Sequence, residues 1–249
     1  MAAVTYTVAD GIAHIELNRP EAANTIDMAL AVELGEAVAR AGTDESVGAV
    51  LLSGAGKRFC GGGDISSFAE SQDPAADLLA LAEAADAAVL AFEALTKPVV
   101  TAVQGAVAGG GLGIMLAGDV VIAAEGTKFV FAYPAIGLTP DCGTSTALPL
   151  AMGRHRALAF ALSDRPLSAQ EAREQGLVAE VVADPLTRAQ ELATVWAKGS
   201  SAAYGEARRL IRAGVDRPRT ESSRDEADTI GARAGLPETQ ELFAAFLKR

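Results

Sequence analysis

The segment that most constrains the fold is VAGGGLGIMLAGD at residues 107–119, which places glycine at four of the five positions from 109 to 113. It lies inside an uninterrupted run of apolar residues and glycine over 105–118. Glycine loses more backbone entropy than any other residue when it is held in regular structure, so the cluster indicates that another group approaches the backbone closely. The run is shorter than the roughly 18–20 residues of a membrane-spanning helix, which predicts a buried element of a globular core.

Charge and cysteine content exclude several classes of partner. The formal net charge is −11, and the sequence has no run of five Lys or Arg residues, so we expect no nucleic-acid partner. The two cysteines, Cys60 and Cys142, can form neither a disulfide framework nor the spacing of a zinc site, so we expect no metal. The N-terminal residues MAAVTYTVAD lack the basic and apolar regions of a signal peptide. We therefore expect a cytoplasmic protein with no membrane partner.

Apolar periodicity predicts strands that alternate with helices. Extended patterns flank the turn signal Asp10-Gly11 and recur along the chain, at residues 4–8, 12–17, 47–54, 99–103, 120–124, 129–132 and 177–182. Helical spacing of apolar residues predicts helices over 25–41 and about 75–95. This alternation is typical of an α/β fold. Beyond about residue 185 the chain is alanine-rich and helical in pattern.

The glycine clusters do not fit the fingerprints of nucleotide-binding loops. A G-x-G-x-x-G motif needs glycine at position 114 or 116, where the chain has Ile114 and Leu116. A P-loop ending at Lys57 needs Ser or Thr next, where the chain has Arg58. The G-x-S-x-G nucleophile elbow is also absent from the sequence.

Two clusters remain, CGGGD at 60–64 and AGGGLG at 108–113, each between a predicted strand and a helical pattern. Backbone N–H groups from two such turns can converge on one oxygen atom, because glycine permits both the tight conformation and the close approach. The pair therefore predicts an oxyanion hole. The competing interpretation is a pair of plain turns that pack helix against strand closely.

Five segments carry a family resemblance. In chain order they are LNRPEAANTID at 17–27, FCGGGDI at 59–65, KPVVTAVQGAVAGGGLGI at 97–114, GLTPDCGTS at 137–145 and LSAQEAREQGLVAEVV at 167–182. On these segments the chain resembles the crotonase, or enoyl-CoA hydratase/isomerase, superfamily over most of its length. The resemblance implies an α/β crotonase-like spiral of repeated ββα units over 1–190. It also implies a C-terminal helical oligomerisation region over 191–249 and a homotrimer or dimer of trimers.

The same resemblance implies the site. Its substrate is an acyl-CoA thioester, so coenzyme A enters as part of the substrate and no tightly bound cofactor is expected. The N–H groups of Gly63 and Gly110 are the expected oxyanion donors. The residues expected around the CoA arm and acyl group are Ala22, Ala23, Gly61, Asp64, Ile65, Ser66, Gly113 and Tyr133. One departure is Glu21, which stands where the family carries a lysine near the adenine ribose.

The side chains for proton transfer also depart from the hydratase pattern. The two glutamates of the family's hydratases fall on Gly113 and Tyr133, so the usual acid/base pair is missing. Asp141 matches the carboxylate of some isomerases of the family, and its alternative interpretation is a turn residue after Pro140. We expect a double-bond isomerase with Asp141 as proton shuttle. A hydratase with atypical acid/base groups and a non-catalytic acyl-CoA-binding protein are the alternatives.

Overall fold

Two β-sheets organise the chain in the computed structural model, which describes residues 2–66 and 71–248. The strands are β1 Val4–Ala9, β2 Ile12–Leu17, β3 Ala49–Gly54, β4 Val99–Val103, β5 Ala106–Ala108, β6 Val120–Ala124, β7 Lys128–Val130, β8 Leu167–Ser168 and β9 Glu180–Val182. The larger sheet has the order β1-β2-β3-β4-β6-β9, and the smaller has the order β5-β7-β8. Only β1–β2 and β7–β8 pair antiparallel among these strands; the other pairs are parallel.

The predicted hairpin is confirmed. Asp10 and Gly11 have φ of 51° and 77°, the positive values that a tight two-residue turn between β1 and β2 requires. The strand predicted at 177–182 is shorter in the structure, because the amides of Leu177 and Val178 close the end of a helix by bonding to the Ala172 carbonyl. The sheet therefore gains only the last three residues of that segment.

The described helices are α1 Met28–Thr43, α2 Pro74–Ala94, α3 Gly110–Leu116, α4 Thr144–Met152, α5 Arg154–Leu162, α6 Ala169–Glu174, α7 Pro185–Lys198, α8 Ser201–Gly214, α9 Arg219–Ala234 and α10 Pro237–Phe246. Short 3-10 turns cover Pro20–Ala22 and Tyr133–Ile136. Helix α1 begins three residues later than predicted, because the Asp27 carboxylate accepts from the Leu30 amide at 2.8 Å and caps it.

Every residue of β3 and β4 is buried, as expected for parallel strands covered on both faces. The main core lies where α1 and α2 pack on one face of the larger sheet, and it includes Leu17, Leu34, Leu52 and Phe92. A second cluster forms against α7 on the other face and includes Ile12, Leu51, Val100, Ile122 and Trp196. The predicted α/β architecture is confirmed.

Two arginines of α8, Arg208 and Arg212, pair with Asp119 and join the C-terminal helices to this core. Arg208 of α8 donates to the Asp119 carboxylate at 2.7 Å and to the carbonyls of Phe92 and Glu93 at the end of α2. Residue 190, where the sequence divides into core and helical region, lies inside α7, and that division stays a prediction. Across residues 2–66 and 71–248, none of the helices has the length and apolarity needed to cross a bilayer.

Candidate active site

The two glycine clusters lie side by side, the first beyond β3 and the second directly after β5. Cys60 holds them together, since its amide donates to the Ala106 carbonyl at 3.3 Å and its carbonyl accepts from the Ala108 amide at 3.0 Å. Gly62 and Gly109 have φ of +96° and +51°, and a β-carbon on Gly62 would lie 3.7 Å from the α-carbon of Gly109. Glycine is therefore favoured at both positions by the backbone conformation, and at Gly62 also because a β-carbon would lie 3.1 Å from the Ala108 carbonyl oxygen.

The amides of Gly63 and Gly110 are both available. The Ile26 amide donates to the Gly62 carbonyl at 2.8 Å, and the Asp64 amide donates to the Ile26 carbonyl at 2.9 Å. The Gly63 amide lies between these two bonds and points away from Ile26. Gly110 is the first residue of α3, where an amide has no partner within the helix. Neither amide donates to an acceptor in residues 2–66 or 71–248.

Ile26 lies next to both glycines. It forms the bridge with Gly63, and its Cδ1 lies 3.0 Å from the point where a β-carbon on Gly110 would be. A β-carbon on Gly63 would meet nothing within 4 Å in the described part of the chain. The arrangement thus has open space above Gly63 and a packed boundary at Gly110. The position of Ile26 between them was not identified from the sequence.

Asp141 lies at this boundary. One oxygen of its carboxylate, Oδ1, is 3.3 Å from the position that a β-carbon on Gly110 would occupy. Its backbone carbonyl accepts from the Thr144 amide at 2.9 Å, closing the turn that leads into α4, and the following residue Cys142 has a φ of 49°. Asp141 therefore makes a turn with its backbone while its half-buried side chain faces the second glycine cluster.

The phenol of Tyr133 contacts the same carboxylate. Its hydroxyl donates to Asp141 Oδ1 at 2.7 Å and lies 3.3 Å from Thr144 Oγ1. Burial, followed by the negative charge of Asp141, raises the pKa of Tyr133 far above its usual value. The phenol is therefore a hydrogen-bond donor at neutral pH. Thr144, which is fully buried, was not identified from the sequence.

Gly113 is covered by the loop that carries Asp141. A β-carbon at Gly113 would lie 2.1 Å from the carbonyl oxygen of Cys142 and 2.8 Å from its Cβ. No side chain fits at this position without moving backbone. The structure places Gly113 beneath the loop, while the phenol of Tyr133 reaches the carboxylate itself.

The expected CoA-arm residues before α1 form a strained turn next to the first glycine cluster. Ala23 and Asn24 have positive φ of 56° and 52°, and the Ala23 carbonyl accepts from the Gly61 amide at 2.9 Å. Asn24 is fully buried and its amide nitrogen donates to the carbonyls of Ala55 and Arg58 at 2.9 and 2.8 Å. Ala22 ends the preceding 3-10 turn.

Asp64, Ile65 and Ser66 follow the predicted donor Gly63. The Asp64 carboxylate accepts from Ser66 Oγ at 2.6 Å and pairs with Arg19 at 3.0 Å. These contacts lower the pKa of Asp64, and the hydrogen bond from Ser66 has the largest effect. Ile65 is half exposed and Ser66 is exposed, so their side chains are open to a ligand.

A cleft of about 480 Å³ lies beside the Ala23 turn, and its lining residues are Pro20, Glu21, Ala23, Gly56, Lys57 and Arg58. Glu21, Lys57 and Arg58 are all exposed there. The cleft thus combines one carboxylate with two cationic side chains next to the residues expected to hold the CoA arm.

Both cysteines are buried around the second glycine cluster. Cys60 Sγ lies 2.9 Å from the β-carbon point of Gly111, and Cys142 Sγ lies 3.2 Å from that of Gly110. Burial raises the pKa of the Cys60 thiol to about 12 and also raises that of Cys142. Both side chains are neutral thiols at physiological pH, which suits lining residues rather than nucleophiles.

A larger cleft of about 580 Å³ lies beside α7 and includes His14, Leu186 and Glu191 in its lining. His14 Nε2 is bonded to Ser53 Oγ at 2.8 Å, and burial lowers the pKa of its imidazole. This cleft brings together none of the predicted site residues. In residues 2–66 and 71–248, no group of three or more His, Cys, Asp or Glu side chains could hold a metal ion.

Known proteins are similar to this chain in sequence and in fold. The family model described as enoyl-CoA hydratase/isomerase matches residues 7–248. The chain is 38% identical to the 1,2-epoxyphenylacetyl-CoA isomerase of Escherichia coli strain K12, over 71% of this chain and 68% of the relative. It is 34% identical to the protein named probable enoyl-CoA hydratase in Rhodobacter capsulatus, over 99% of this chain and 95% of the relative. A crystal structure from Mycobacterium abscessus, described as enoyl-CoA hydratase/isomerase, aligns with a TM-score of 0.95 at 36% identity, over 99% of this chain and 96% of that one.

Proposed function

Because the chain belongs to the enoyl-CoA hydratase/isomerase family and has the crotonase fold, we propose that it moves the C=C bond of an enoyl-CoA thioester. One observation carries this proposal: the Asp141 carboxylate lies against Gly110, with Oδ1 held by the Tyr133 phenol. The acyl group and its chain length are left open by these contacts.

The thioester carbonyl oxygen binds at the amides of Gly63 and Gly110. Removing a proton beside a thioester places negative charge on that oxygen, and each well-aimed donor stabilises the charge by about 3–4 kcal/mol. The two amides have no acceptor in the described part of the chain, and the space above Gly63 is open. These features support the predicted oxyanion hole.

Asp141 is the proton shuttle. Its carboxylate takes a proton from C2 of a 3-enoyl thioester. The electron pair of the broken C–H bond is delocalised over the C3=C4 bond and the carbonyl, which gives a dienolate whose oxygen is bound by the two amides. Asp141, now a carboxylic acid whose proton exchanges with solvent, then protonates C4, which leaves the double bond between C2 and C3. A single carboxylate serves as base and then as acid, so no net proton is consumed.

Hydration is the less supported alternative. Adding water across the double bond needs one group to activate water and another to protonate carbon. Of the two positions used by the family's hydratases, Gly113 has no side chain and no room for one, and Tyr133 carries a protonated phenol committed to Asp141. A hydratase with atypical groups and a non-catalytic acyl-CoA-binding protein are the other outcomes to be tested.

Assembly and location are part of the same proposal. Among the apolar side chains near the C-terminus, Phe243 is 50% exposed, Phe246 75% and Leu247 84%. Side chains this apolar favour contact with another subunit, and we expect a homotrimer or a dimer of trimers in the cytoplasm.

The reaction type is tested by following 3-enoyl-CoA and 2-enoyl-CoA separately with the purified protein in deuterated water by NMR. An isomerase interconverts the two and places deuterium at C2 and C4 without forming 3-hydroxyacyl-CoA. A 3-hydroxyacyl product would establish the hydratase instead. Saturable binding measured by calorimetry, with neither conversion nor exchange, would establish the binding protein.

A further inference from the structure

We infer that Tyr133 is a positioning residue for Asp141: its phenol fixes one carboxylate oxygen so that the ionised carboxylate stays directed at the substrate beside Gly110. This inference rests on the proposed function of Asp141 as the proton shuttle. It assigns to the tyrosine no proton transfer of its own.

The geometry of the pair supports this role. The Tyr133 hydroxyl donates to Asp141 Oδ1 at 2.7 Å, and the same oxygen lies 3.3 Å from the β-carbon point of Gly110. A carboxylate has about four acceptor sites, so one phenol bond leaves lone pairs for a substrate proton. Because a hydrogen bond to a charged acceptor is stronger than a neutral one, the contact restricts rotation of the Asp141 side chain.

Tyr133 is itself held in one orientation. Its ring packs edge-on against Phe131, with centroids 5.1 Å apart, and its side chain is buried. The hydroxyl of Thr144 lies 3.3 Å from the phenol oxygen, which can accept from it while donating to Asp141. Two consecutive hydrogen bonds therefore join Thr144, at the start of α4, to the Asp141 carboxylate through the Tyr133 hydroxyl, and they hold the phenol in one orientation.

The surrounding titratable groups favour a phenol that donates. Burial, and then the charge of Asp141, raises the pKa of the Cys60 and Cys142 thiols, so both remain neutral. Asp86 of α2 acts on Cys142 in the same direction. The Tyr133 O–H therefore donates to the Asp141 carboxylate among neutral or negatively charged groups.

The test compares Tyr133→Phe with the wild type in the isomerisation assay. The substitution keeps the ring and removes only the hydroxyl. We expect kcat to fall about 10-fold to 100-fold, because the base is no longer aligned, while KM changes less than about threefold. Thr144→Val should lower kcat by a smaller amount.

Tyr6→Phe is the matched control. The Tyr6 hydroxyl is buried without a hydrogen-bond partner among the described residues. The Tyr6 ring lies 4.2 Å from the Arg40 guanidinium, and neither residue belongs to the candidate site. This variant loses the same atom and should keep the wild-type rate. If its rate fell as far as that of Tyr133→Phe, the effect of either phenol would be structural and the inference would be wrong.

Asp141→Asn separates the inference from the proposed function. If Asp141→Asn abolishes isomerisation while Tyr133→Phe keeps the wild-type kcat, the positioning role is overturned and the shuttle stands. If Asp141→Asn retains full activity, the shuttle itself fails. Circular dichroism and thermal unfolding of each variant establish that the comparison is made on folded protein.

Discussion

The carbonyl oxygen of Cys142 lies 2.1 Å from the point where a side chain on Gly113 would begin. The loop that presents Asp141 therefore packs directly on the backbone of α3, at a position where the sequence resemblance predicts the glutamate of a hydratase. A glutamate at 113 and this loop conformation exclude each other. The absence of a side chain at Gly113 is thus linked to the placement of Asp141.

Gly113→Ala should destabilise the fold by about 3 kcal/mol or more, because backbone must move to admit even one methyl group. Urea unfolding of the variant measures this change. Gly126→Ala is the control, since a β-carbon there would meet nothing within 4 Å, and it should stay within about 0.5 kcal/mol of the wild type. Equal stabilities of the two variants would contradict the packing described at Gly113.

Arg208→Ala should destabilise the protein by about 2–3 kcal/mol, because the carbonyls of Phe92 and Glu93 lose a buried donor, while Asp119 keeps its pair with the partly exposed Arg212. The Arg208 side chain is 4% exposed and donates to Asp119 at 2.7 Å. Arg224 makes a comparable pair with Asp228 at 2.9 Å but is 80% exposed. Arg224→Ala should therefore cost no more than about 1 kcal/mol, and a similar loss in both variants would argue against the anchoring role of Arg208.

Glu171 provides a pH-dependent contribution to stability. Hydrogen bonds from Ser168 and Arg165 lower its pKa to about 2 from its usual value of 4.5. A carboxyl group with a lowered folded-state pKa stabilises the fold above its unfolded value and loses that contribution as the pH falls through its folded value. The difference in unfolding midpoint between wild type and Glu171→Gln should be constant above about pH 5 and vanish toward pH 2.

The matched control for that series is Glu174→Gln on the same helix, which changes an exposed carboxyl group that, among the described residues, accepts from the neutral side chain of Gln170. Its difference from the wild type should stay near zero at every pH. A Glu171→Gln difference that persisted unchanged at pH 2 would show that lost packing, not charge, causes the effect.

The elements predicted from the sequence were those with a local signal. The β1–β2 hairpin has alternating side chains and a turn pair able to adopt positive φ. Strands β4 and β6 are short runs of mostly apolar residues, and such runs are a local signal of buried strands. Strands β5 and β8 have only three and two residues, too few to show a period, and they form through pairing with β7.

The site was predictable only in part for the same reason. The glycine clusters were visible in the sequence, because close backbone approach is a property of glycine, whereas Asp141 was identified through the family resemblance. The bond from Tyr133 to Asp141 and the contact of Thr144 with that phenol depend on how the 133–136 turn packs against α4. The positive φ of Asn24, likewise, is imposed by the carbonyls of Ala55 and Arg58 that its side chain binds.

Assembly is tested through the exposed apolar end of α10. Phe246→Asp should shift the mass measured by light scattering toward the monomer, because a charge on a side chain that is 75% exposed in one chain would be buried in a subunit contact. Gln240→Asp adds the same charge to the same helix without removing an apolar side chain and should leave the mass unchanged. A wild-type protein that is monomeric at micromolar concentration would contradict the proposed assembly.

The central claim is that the Asp141 carboxylate moves the proton, and Asp141→Asn tests it most directly. We predict that binding of an acyl-CoA, measured by calorimetry, stays within about threefold of the wild type, because the amides of Gly63 and Gly110 still hold the carbonyl. Double-bond migration and C–H exchange in deuterated water should fall by about 10²–10⁴-fold. Asp228→Asn, on exposed α9, should change neither. Exchange at the wild-type rate in Asp141→Asn would contradict the account.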